Sequence, residues 1–153
     1  MKKLILFLTL FATFFVISCN SDDDNNNSGN QGPNPSTAAF TWRENDPNST
    51  TVQSAFTPTF STQFKTLIAK TQAGTTLFEI NLSGTTPATY SLTTAANVLS
   101  FTGVNPTFVS ENGSVVITAN ANNKISGTFE AFRAGSSGVT RLYGTFTDVI
   151  IVP

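Results

Sequence analysis

From residue 38 onward, apolar and polar positions alternate with a period of two, and the alternating residues are largely β-branched and aromatic. That spacing and those residue types fit half-buried strands on a pleated surface. Residues 38–43 predict a first strand, ended by the turn residues Glu44-Asn45-Asp46-Pro47-Asn48. Residues 51–56 predict a weaker one, stopped near Pro58. In 62–70, Phe64, Thr66 and Ile68 alternate with Lys65, Leu67 and Ala69, and in 76–82 Phe78, Ile80 and Leu82 share one face. Shorter strands are expected over 89–93, 98–102, 107–111 and 114–118. Asn112-Gly113 between the last two predicts a type I′ hairpin, because both turn residues tolerate positive φ. A further turn at Asn120-Ala121-Asn122-Asn123 leads into 124–132, and a Gly/Ser turn into 139–151. No segment carries a helical stripe.

The last four of these strands are expected to pair as an antiparallel meander. Ile125, Gly127, Phe129 and Ala131 face one way, and Lys124, Ser126, Thr128 and Glu130 the other. Leu142, Gly144, Phe146 and Asp148 fall on one face of the final strand. Ile125-Ser126-Gly127-Thr128-Phe129 echoes Leu142-Tyr143-Gly144-Thr145-Phe146, as in two paired strands with equivalent requirements. A strand glycine is used by a bulge, a bend or close packing, so a phenylalanine ring is expected over each bare glycine backbone. The pattern as a whole predicts an all-β, antiparallel β-sandwich of about nine or ten short strands. A lipocalin-like up-and-down barrel is the alternative, since a meander closes that way too.

The residues before this domain follow a different pattern. Lys2 and Lys3 precede an apolar run over residues 4–17, broken only by Thr9 and Thr13, and a polar segment follows at once. The run is shorter than the ~20 apolar residues of a spanning helix and has the build of a secretory signal. It closes on Val16-Ile17-Ser18-Cys19. Residues 21–37 contain only polar residues, Gly and Pro, and are expected to be a disordered tether. The organisation read from the sequence is a signal peptide over 1–18, a tether over 19–37 and one all-β domain over 38–153.

Charge and chemistry narrow the function. The domain balances Arg43, Lys65, Lys70, Lys124, Arg133 and Arg141 against Glu44, Asp46, Glu79, Glu111, Glu130 and Asp148. With no basic patch, nucleic acid is not an expected partner. The chain has no histidine, which removes the commonest general base and metal ligand, and one cysteine, which excludes an internal disulfide or a cysteine-based zinc site. No Gly-x-Ser-x-Gly elbow or pair of carboxylates stands out, so no catalytic residue, metal or cofactor is expected. Asp148 is expected either wet near a strand end or paired with Arg133 or Arg141. Trp42, Tyr90 and Tyr143 are candidate ligand contacts, as a stacking platform for sugar rings; the competing reading places Trp42 in the core or its rim and packs Tyr143 across strands. On the barrel alternative, Phe56, Phe60, Phe64, Phe78, Phe101, Phe108, Phe129 and Phe146 would line a cavity for a small apolar ligand.

The segment Val16-Ile17-Ser18-Cys19 resembles a bacterial lipobox, with an aliphatic residue three places before the cysteine and a small one just before it. The resemblance implies cleavage between Ser18 and Cys19 and a diacylglyceryl group on Cys19 Sγ. Ser21-Asp22-Asp23-Asp24 behind it is similar to the export signal of surface lipoproteins in Bacteroidota. With Phe40-Thr41-Trp42, residues 113–118 and 123–130, and Gly144-Thr145-Phe146-Thr147-Asp148-Val149, the chain resembles small Flavobacterium-type lipoproteins with a β-rich domain. What the resemblance implies is an outer-membrane, lipid-anchored protein exposed at the cell surface. The expected function is then a non-enzymatic binding or adhesion module for a glycan or an envelope protein.

Overall fold

The computed structural model describes residues 40–135 and 137–153, and the leader, Ser18, Cys19, Ser21, Asp22, Asp23, Asp24 and the tether lie outside the described residues. The described chain forms eleven strands: β1 (Phe40–Glu44), β2 (Gln53–Ser54), β3 (Phe56–Ser61), β4 (Thr66–Lys70), β5 (Thr76–Asn81), β6 (Ala88–Ser91), β7 (Val98–Phe101), β8 (Phe108–Val109), β9 (Asn112–Ala121), β10 (Lys124–Phe132) and β11 (Arg141–Val152). There is no helix among the described residues. The fold is all-β, as its period-two pattern predicts.

The strands join one curled, mixed sheet in the order β6-β9-β10-β11-β3-β4-β5-β7-β8, with β1 on β11 and β2 on β1. β11 is the strand the sheet turns on. Along one edge it pairs with β1 over Leu142 to Phe146, antiparallel, and then with β3 over Ile150 to Val152, parallel. The parallel pair departs from the expected all-antiparallel arrangement, and chain direction explains it. β1 runs against β11, β2 reverses against β1, and β3 continues in the sense of β2. It therefore meets β11 running the same way.

β9, β10 and β11 form three strands of the expected four-strand meander, with β9 turning into β10 at Asn122-Asn123, where both residues have positive φ (54° and 59°). That is the type I′ signature. Asn112-Gly113 is not a hairpin turn. Both residues belong to β9, opposite Phe132 and Ala131, and a Cβ on Gly113 would overlap the Glu130 carbonyl. The glycine allows two backbones to approach closely instead of reversing the chain. β8 pairs not with β9 but with β7. The ladder changes partner between Ser110, whose N–H donates to Leu99 O at 2.8 Å, and Glu111, whose N–H donates to Phe132 O at 2.8 Å.

Ile125, Gly127, Phe129 and Ala131 are buried, as their alternation predicts. On β11 the alternation breaks: Phe146 and Val149 are both buried, three residues apart. The pairing with β10 shifts between Ile125 and Gly127, and Asp148 has φ +52°, so a bulge absorbs an extra residue here. The bulge turns Asp148 outward, away from the face it was expected to share with Phe146. Pro58 does not stop a strand. It lies inside β3 where the register shifts between Phe56 and Thr59, at a bulge that does not need its missing N–H. Phe64 sits in the turn before β4 and is 71% exposed.

The core lies inside the curl. Phe40 of β1 packs on Phe78 of β5 at 4.9 Å between ring centres and on Phe129 of β10 at 5.4 Å. Phe78 stacks on Phe101 of β7 at 4.5 Å. Phe60, Leu67, Ile80, Leu99, Phe108, Ile117, Ile125, Leu142 and Phe146 complete the large, fully buried side chains. Six of the eight phenylalanines expected along a ligand cavity are buried in this cluster, and rings in mutual contact occupy the interior. Each such ring removes roughly 150–250 Å² from water.

Candidate functional site

The three aromatic candidates do not come together. Trp42 is 4% exposed, with its ring edge-on to Phe78 at 5.0 Å and to Phe101 at 5.7 Å, while its Nε1–H donates to Glu44 Oε1 at 3.3 Å. The inward side of β1 claims it because the curled sheet offers aromatic surface there. Tyr90 is 8% exposed and its hydroxyl donates to Thr86 O at 2.7 Å, which pins the link between β5 and β6. Tyr143 is half-buried on the outer face of β11, edge-on to Phe132 of β10 at 6.2 Å. Two buried rings and one outward ring make no stacking platform. Trp42 takes the core position and Tyr143 the cross-strand position of the competing reading.

The acids are also dispersed. Glu79 and Glu130 are exposed on β5 and β10. Asp148 is exposed and pairs with Lys124 at 3.2 Å rather than with Arg133 or Arg141. Among the described residues no group of three or more His, Cys, Asp or Glu side chains is placed to hold a metal ion.

The concave feature with the most chemistry is a groove of about 410 Å³ lined by Pro106, Thr107, Val109 and Glu111 on one side and Arg133, Ala134, Gly135 and Ser137 on the other. Its floor is rigid because Arg133 is held from several directions. Nε donates to Val139 O at 2.8 Å, and Nη1 donates to Pro106 O at 3.1 Å and Thr107 O at 3.0 Å. The guanidinium also lies over the Phe108 ring at 5.1 Å, a cation–π contact. Glu111 is fixed at the other wall, where its Oε2 accepts the Ala134 N–H at 3.0 Å. The groove thus presents a guanidinium edge and a carboxylate on a preorganised frame. Such a set can accept and donate hydrogen bonds to a hydroxyl-rich or carboxylate-bearing ligand. Among the described residues no hydroxyl of its lining is hydrogen-bonded to Glu111.

Arg133 and Glu111 are nearly the whole of the groove's chemistry, yet in the sequence they are two charges in a balanced set. Extending the Asn122-Asn123 hairpin without a break would bring Gly113 opposite Phe132; the register shift between Ser126 and Gly127 makes it Asn112 instead, and so sets Glu111 beside Arg133. A second hollow of about 310 Å³ lies over the bulge and holds Lys124, Ser126 and Asp148.

Comparison of the chain with known protein families, curated proteins and solved structures returned no match.

Proposed function

We propose that this chain is a lipid-anchored envelope lipoprotein whose β-domain is a non-enzymatic binding module displayed at the cell surface. The observation that carries the reading is Ser18-Cys19 at the end of a basic-then-apolar leader, in a chain with no other cysteine. The thiolate of Cys19 is the nucleophile that takes up the lipid, and two or three acyl chains hold a protein firmly where one is marginal. Ser21, Asp22, Asp23 and Asp24 then act as the export signal that moves the anchored chain to the outer face. We read the curled sheet as a sandwich-like scaffold, filled by the rings of Phe40, Trp42, Phe78 and Phe101, whose role is to hold a rigid surface. The Arg133–Glu111 groove is the contact we assign to a glycan or polar segment of an envelope protein, because its polar groups are fixed before any ligand arrives.

Growth on a labelled fatty acid tests the anchor. Wild type takes up label, and Cys19→Ala does not and is released or mislocalised. Label retained by Cys19→Ala would remove the reading. Protease added to intact cells tests display: it cleaves wild type, and spares a variant with Asp22, Asp23 and Asp24 all changed to Ala. Equal protection of the two counts against export by the acidic run. A glycan array probed with wild type and Glu111→Gln tests the groove, with any bound glycan expected to be lost in the variant.

A further inference from the structure

Four large apolar side chains are exposed among the described residues: Val52, Phe64, Val109 and Ile150. Val52 and Val109 stand apart, one between β1 and β2 and the other on the two-residue strand β8. Phe64 and Ile150 share one end of the sheet. Ile150 lies opposite Thr59 and Val152 opposite Ser61 in the β11–β3 pair. Ser61 Oγ accepts from Phe64 N at 3.4 Å and donates to Pro153 O at 3.5 Å, which holds the turn before β4 against Val152 and Pro153. Phe64 and Ile150 are therefore exposed apolar side chains at one end of the sheet, with Val152 half-buried beside them. Lys65 follows Phe64, and no acid occurs in residues 59–70, while Lys124, opposite Ile150 on β10, is paired with Asp148.

We infer that this end of the sheet is a peripheral contact with a lipid bilayer. Phe64, Val152 and Ile150 enter the boundary between headgroups and acyl chains, and Lys65 meets anionic headgroups. The inference rests on the anchored reading above. The 20 residues between Cys19 and Phe40 span at most ~70 Å even when fully extended, so an anchored domain always stays near the bilayer. Tethering at that range populates a contact too weak to recruit free protein. Charge favours the occupant at the Phe64 turn, where Lys65 stands beside the exposed ring with no acid in residues 59–70, as an anionic lipid surface requires.

The test uses the chain from Cys19 onward, which includes every described strand, coupled through that single cysteine to maleimide-bearing lipid. The vesicles contain phosphatidylethanolamine and phosphatidylglycerol, with or without bromine in the acyl chains close to the headgroup. Phe64→Trp reports the contact, and wild type, carrying only the buried Trp42, is the reference. Bromine is expected to quench the Phe64→Trp emission about twofold and to leave the reference unchanged. Emission that bromine does not touch overturns the inference. So does a blue shift that grows with surface density without quenching, the sign of a second copy covering the ring. Should Phe64→Trp fold poorly, Ile150→Trp reads the same end of the sheet. Because the coupling is chemical, absence of acylation in cells would defeat the anchored reading while leaving this result to stand or fall separately.

Discussion

The ring of Phe129 fills the space a side chain on Gly144 would occupy in the opposed strand, and Phe146 does the same over Gly127. The two rings cover each other's glycines across the β10–β11 pair. A Cβ at position 144 would meet the Phe129 ring and also Thr41 O at 2.6 Å, so both the core and the β1 backbone oppose it. Gly144→Ala is expected to cost ~1–3 kcal/mol, the usual range for overpacking a filled core. Adding Phe129→Leu should recover only part of that, because the Thr41 carbonyl remains. Urea unfolding midpoints of the single and double variants give the comparison. A Gly144→Ala domain as stable as wild type would refute the interlock.

This pair also marks how far the sequence was legible. The echo between residues 125–129 and 142–146 announced two paired strands with rings over glycines. Which ring covers which glycine depends on register: Gly127 lies opposite Phe146, and Gly144 opposite Phe129. Local alternation named the inward residues of β10 correctly. It failed at Asp148, because one bulged residue reverses every later side chain. It failed at Asn112-Gly113 because a glycine that admits a neighbouring backbone looks the same in one dimension as a glycine that turns the chain. The Arg133–Glu111 groove was illegible for a similar reason, being made where the ladder changes partner after Ser110.

Trp42 is a core residue here, and stability rather than binding should respond to its loss. Trp42→Ala removes an indole wedged against Phe78 and Phe101 and is expected to cost ~3–5 kcal/mol. Trp42→Phe keeps most of the apolar volume and gives up the contact with Glu44 Oε1, so a loss nearer ~1–2 kcal/mol is expected. Thermal melts would rank the three proteins. Any glycan bound by wild type should also be bound by the folded Trp42→Phe variant, and selective loss of binding would return Trp42 to the ligand surface.

Asn97 ties three segments together while only 5% exposed. Its Oδ1 accepts the Ser83 N–H at 2.6 Å, and its Nδ2 donates to Ser91 O at 2.9 Å and Thr94 Oγ1 at 3.1 Å. Asn97→Leu strands these partners and should cost ~2–3 kcal/mol. Asn97→Asp makes stability depend on pH. Burial and the facing Ser91 carbonyl would raise the introduced carboxyl above its unfolded value of about 4. The folded state then holds its proton more tightly than the unfolded state. Stability relative to wild type should be best below about pH 4 and fall as pH rises through the raised pKa. A difference from wild type that stays flat across this range would contradict the burial of Asn97.

Asp148 combines an exposed ion pair with a left-handed backbone, and substitutions separate the two. The Lys124 contact is solvated on both sides, so Asp148→Asn should change stability by less than ~0.5 kcal/mol, and salt should matter little. Asparagine also tolerates the φ of +52° at the bulge and keeps the N–H that donates to Ser126 Oγ at 2.9 Å. Asp148→Val keeps that N–H too but places a β-branched residue in the left-handed region, where ~1–2 kcal/mol of strain is expected. Denaturant unfolding of the two variants at low and high salt compares them directly. Should Asp148→Asn fall as far as Asp148→Val, the charge rather than the backbone would govern this bulge.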